Sequence, residues 1–184
     1  MSKRIPTQAH VLSDDTLKRI GYRLLCSVYA EYEWPNLRRD SDPDVLDSFL
    51  EHSDEEISEL LVSLAALARA ADDALDTLAQ LEKTFPQGVG TLLINDTKTV
   101  LSLRQACNKI IHAKTSRWDF AVEERNPLYD AYFKAQGMDV RGSYKNPKAI
   151  ISGEDRGGTW EATLFVVPFV IAVANWDAWQ WRFV

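Results

Sequence analysis

Arg104, Asn108 and His112 recur at four-residue steps in the run RQACNKIIH. On a helix, side chains four apart lie one above another, so these three form a polar ladder along one flank. The chemistry they suggest is metal-free cleavage of an RNA backbone. An imidazole titrates near neutrality and can take the ribose 2′-OH proton. A guanidinium grips phosphate oxygens in pairs, and an amide can orient either neighbour. Attack within the strand then leaves a 2′,3′-cyclic phosphate. One helix supplies one histidine, so an acid–base pair needs a second copy across a two-fold axis. Lys109, Lys114 and Arg117 surround the ladder with further RNA-binding charge. The same spacing also fits a structural seam. In that case Arg104 pairs with an acid of the long helix upstream, and Asn108 and His112 bond the backbone of the sheet that follows.

Positioning such a ladder requires a helix with a core face. Asn95-Asp96 reads as a cap for a helix from Thr97 to about Lys114, with Val100, Leu103, Cys107 and Ile110 inward. At about 100° per residue, Arg104 lies about 70° from the centre of that face, Asn108 about 110° and His112 about 150°. The ladder climbs from the core edge towards solvent. Upstream, Ser13-Asp14-Asp15 opens a helix that Trp34-Pro35 ends, and Asp42-Pro43 opens a short one through Leu50. Ser53-Asp54-Glu55-Glu56 reads as a capping box before a long helix to about Phe85, which Pro86, Gly88 and Gly90 interrupt. Downstream, Trp118, Phe120 and Val122 alternate as in a half-buried strand, and a short helix is expected near Leu128 to Ala135. Ala149 to Ser152 and Thr159 to Phe165 flank a glycine-rich turn, as in a hairpin, and Pro168 starts a C-terminal helix.

These elements predict a mostly α fold. A helical bundle spans a single domain, 1–184, with a small antiparallel β appendage at about 117–167 and a C-terminal helix at about 168–182. Residues 1–94 carry 9 Lys/Arg against 17 Asp/Glu, and residues 95–184 carry 12 against 10. That balance excludes a uniformly basic nucleic-acid coat while leaving room for a local basic site in the second half. No apolar run follows Lys3 and Arg4, and Leu164 to Ala174 is too short to span a bilayer, so a cytoplasmic location without membrane contact is expected.

No cofactor or metal is expected. His10 and His52 have no second ligand at metal spacing, and Asp72, Asp73 and Asp76 read as a solvated acidic face. Cys26 and Cys107 read as small buried hydrophobes. In the aromatic tail, Trp176, Trp179 and Phe183 share one helical face and Trp181 lies on another. Trp176, Trp179 and Phe183 therefore read as core residues covering the bundle, while Trp181, together with Trp179, is a candidate anchor for a protein partner.

The helix SLRQACNKIIHA resembles the signature helix of HEPN-type domains, in which four to six residues separate an arginine from a histidine. Here seven residues, 105–111, intervene. The following Trp/Phe strand and the I-I-S-G…G-G-x-W hairpin are similar to uncharacterised bacterial proteins of that kind. The resemblance covers about 97–176, with a bundle partner in 54–85. It implies a homodimeric, metal-independent endoribonuclease or RNA-binding effector in toxin–antitoxin or phage-defence systems, with Arg104, Asn108 and His112 catalytic. The alternative is a non-catalytic interaction module, such as an immunity factor or a phage-encoded inhibitor.

Overall fold

The computed structural model describes residues 4–6, 11–37, 43–75, 77–83, 87–120, 122–123, 134–139, 144–155 and 158–174. The expected helix near 128–135 lies mostly outside them. Asp76 and the tail residues Trp176, Trp179, Trp181 and Phe183 lie outside them entirely.

Short strands β1 (Arg4–Pro6) and β2 (Val11–Ser13) precede helix α1 (Asp14–Leu37), α2 (Pro43–Leu75) and α3 (Thr77–Glu82). Then come β3 (Gly90–Ile94), β4 (Thr97–Val100), α4 (Leu103–Ile111), β5 (Thr115–Asp119), β6 (Val122–Glu123), β7 (Tyr144–Lys145), β8 (Lys148–Asp155), β9 (Gly158–Phe165) and α5 (Val166–Ala174). Among these helices none is long and apolar enough to cross a membrane.

The β component is not a small appendage to a bundle. Five antiparallel strands form one sheet in the order β4-β3-β9-β8-β5, so the expected hairpin, β8–β9, lies inside a sheet that two further segments complete. What the bundle reading lacked was β3 and β4. Asn95 and Asp96 both adopt positive φ, 47° and 63°, and make a tight two-residue turn between strands rather than a helix cap. Thr97 to Val100 is therefore strand, and Val100 is exposed instead of buried. The cap of α4 is Ser102, whose hydroxyl accepts the Gln105 amide while the Gln105 side chain accepts the Ser102 amide.

The core lies between one sheet face and the helices. Leu92, Ala162 and Ile151 form one row across β3, β9 and β8, and Ile94, Trp160 and Gly153 form the next. Leu103, Ala106, Cys107 and Ile110 turn α4 onto that layer, and α4 also packs on α2 and α3. Cys107 is buried, and burial pushes its thiol up to about 12, so it stays a protonated apolar side chain. Cys26, expected to be buried, is exposed, because the inward row of α1 runs through Leu17, Gly21, Leu24 and Val28. At Gly21 α1 crosses α5 so closely that a Cβ would come 2.9 Å from Val170 Cγ1.

Helix α2 runs unbroken through Ser53, where a new helix start was expected. Half-buried Leu50 and buried Ile57, seven residues apart, share one face, so packing carries the helix through. Ser53 Oγ instead donates to Glu31 Oε2 on α1 at 3.4 Å. Burial and then the nearby Asp54 raise the Glu31 carboxyl from 4.5 to about 7. Because the folded form holds this proton more tightly, its stabilisation is complete below about pH 4.5 and is lost as pH rises through about 7. Thermal melts should show the midpoint falling over that window, and Glu31→Gln should flatten the slope. An equal slope in the variant would place the pH dependence elsewhere.

Candidate functional site

A four-residue step overshoots a 3.6-residue turn by about 40°, so the ladder turns about 80° between its ends. Its two ends therefore serve different parts of the molecule. At the lower end, Arg104 turns towards α2. Its Nη1 lies 2.7 Å from Asp72 Oδ2 and its Nη2 lies 3.7 Å from Asp73 Oδ1, while Arg69 reaches the same two carboxylates at 2.7 and 2.9 Å. Asp72 is buried and also accepts the Leu78 main-chain amide at 2.8 Å, joining the end of α2 to the start of α3. The Arg104 amide donates to Glu82 Oε1 on α3. The acidic run expected to be solvated is thus, at Asp72, the buried centre of an ion cluster.

At the upper end, Gln105, Asn108, Lys109 and His112, at i, i+3, i+4 and i+7, share a flank that borders an open groove. The groove measures about 710 Å³. Leu92 and Ile94 of β3, Trp160 of β9, and Glu154 and Asp155 at the end of β8 complete its lining.

Position explains each contribution. His112 is the C-cap residue of α4, which leaves its imidazole exposed just before β5 begins. Gly153 opposes Trp160 in the sheet, and with no Cβ on Gly153 the indole lies across the strand. Lys109 Nζ sits 4.4 Å over that indole and 2.7 Å from Asp155 Oδ2. Lys114 Nζ pairs with Glu154 at 2.8 Å, a contact that lowers the Glu154 pKa. The side chains of Asn108 and His112 make no hydrogen bond or ion pair with any other described residue.

No family model matches the chain, and searches of curated proteins and of solved structures find no match.

The chemistry must therefore be read from the side chains themselves. The structure brings Asn108, Lys109 and His112 together on the groove. Arg104 is engaged with the α2 acids, Lys114 stands beside Glu154, and exposed Arg117 belongs to β5. No group of three or more His, Cys, Asp or Glu side chains among the described residues could hold a metal. Trp160, Glu154, Asp155 and the β3 residues were not singled out from sequence. The alternation Trp160, Ala162, Leu164 marked an inward strand face, but only the sheet order reveals that α4 crosses its end.

Proposed function

We propose that the chain is a non-catalytic binding protein of the immunity-factor or inhibitor type, and that the groove along α4 receives a segment of a partner protein. One observation carries this reading. The ladder arginine and both lysines near the groove are already matched by carboxylates of the same chain: Arg104 by Asp72 and Asp73, Lys109 by Asp155, Lys114 by Glu154. A polyanion would have to displace those carboxylates and then lie beside them. A peptide meets no such opposition. The side chains of Asn108 and His112, which bond no other described residue, suit its main chain, and half-buried Ile94 offers an apolar contact backed by the buried Leu92 and Trp160.

The test compares tagged wild type with an Asn108→Ala/His112→Ala double variant. The expected result is one stoichiometric protein retained from cell extract by wild type and lost by the folded variant, with added RNA left intact by both. RNA cut by wild type but not by His112→Ala would overturn the reading.

A second reading is a metal-independent endoribonuclease of the HEPN-like kind, favoured by the exposed, unbonded imidazole of His112 with Asn108 one turn below. It predicts that His112→Ala lowers cleavage by about 10²–10⁴-fold without lowering the melting temperature.

A further inference from the structure

Strand β5 ends the sheet on one side, and among the described residues no strand pairs with its outer edge. Such an edge presents main-chain N–H and C=O groups to any strand that arrives. The opposite edge, β4, carries Lys98 within a fully exposed strand, a residue type that discourages pairing. Strand β5, Thr-Ser-Arg-Trp-Asp, carries neither lysine nor proline.

The geometry points to antiparallel pairing of β5 with β5 of a second copy of this chain, about a two-fold axis through Trp118. Ser116 and Trp118 oppose Ile151 and Ala149 on the helix-covered face. Thr115, Arg117 and Asp119 oppose Ser152, Ile150 and Lys148 on the other, where the Thr115 and Ser152 hydroxyls meet at 2.6 Å. A two-fold axis perpendicular to a sheet keeps each side chain on its own face, and directly opposed residues point the same way. Only registers centred on a residue are therefore admissible. Centring on Arg117 sets two guanidiniums against each other. Centring on Ser116 sets Arg117 against a threonine.

Centring on Trp118 sets Arg117 of each copy against Asp119 of the other, so that the Asp119 carboxylate, which already has a contact within its own chain, gains a further cation at each of two sites, and places the two indoles side by side. Arg117 is exposed and makes no ion pair with another described residue. On the same side as Trp118, which stacks on Phe120 at 6.3 Å, Val62 and Ile111 lie exposed around a cavity of about 230 Å³ that the second copy would cover. Nothing in this pairing rests on the groove along α4.

Sedimentation equilibrium of the full chain should show a monomer–dimer equilibrium. Arg117→Asp, which opposes carboxylates at both pairs, should raise Kd about tenfold or more, and Asp119→Arg should do the same. The charge exchange Arg117→Asp/Asp119→Arg should restore wild-type association. Circular dichroism checks that each variant is folded. If Asp119→Arg does not fold, Arg117→Asp and the charge-retaining Arg117→Lys decide the matter, with only the former dissociating. A wild type that stays monomeric throughout the soluble range, or a dimer indifferent to Arg117→Asp, overturns the pairing.

Discussion

Replacing Asp72 with alanine should destabilise the fold by about 3–5 kcal/mol, the range for removing one partner of a buried ion pair. The Asp72 side chain has no solvent exposure, and its Oδ2 lies 2.7 Å from both Arg69 and Arg104. Its loss leaves two guanidiniums facing each other with only the exposed Asp73 between them, and strands the buried Leu78 amide without an acceptor. Asp72→Asn keeps an acceptor for that amide and should fall between wild type and alanine. Arg104→Ala should cost less, because its side chain is 45% exposed and Arg69 still covers the carboxylate. Urea denaturation of the single and double variants measures the coupling directly. An Asp72→Ala midpoint equal to wild type would show that the cluster contributes nothing to stability. The result bears on function as well, since any defect in Arg104→Ala must be read against stability before it is assigned to a ligand.

What the sequence disclosed about the ladder was its spacing and its helix. What it withheld was the direction of each side chain. Leu103, Cys107 and Ile110 were read as the inward face of α4 and are buried, and the seam with Arg104 on an acid of the long helix was among the open readings. The start of α4 was misplaced because Asn-Asp serves both as a helix cap and as a positive-φ turn. The alternation of Leu92, Ile94 and their β4 partners, which decides between the two, gains meaning only once β9 is known to pair with β3. The pairing of β9 with β3 leaves no local trace, so the expected sheet held only the β8–β9 hairpin and a strand at Trp118, without the β3–β4 hairpin whose turn was read as a cap. Asp72 illustrates the same limit. Three acids in five residues look solvated until Arg69 and Arg104 converge on one of them from two helices. Trp118 was read as part of a half-buried strand, and Trp160 only as part of the hairpin. Neither the edge position of the first nor the groove-wall position of the second can be read without the strand order.

Trp160→Ala should be comparably severe, at about 3–5 kcal/mol, and should alter the groove along with the core. The indole is 3% exposed and is pinned on three sides: by Ile94 on β3, by Gly153 on β8 and by the Lys109 ammonium above it. Truncation opens a cavity in the sheet–helix layer, which the glycine opposite cannot fill, and removes the platform that holds Lys109 against Asp155. Trp160→Phe keeps an aromatic face and should recover most of the loss, whereas Lys109→Met removes the charge but retains the packing and should cost about 1 kcal/mol or less. Denaturant midpoints for the three variants separate burial from cation–π attraction. If Trp160→Ala and Lys109→Met cost the same, the indole acts through its cation alone. If Trp160→Ala is by far the costlier, it acts as the apolar wall on which the α4 groove is built.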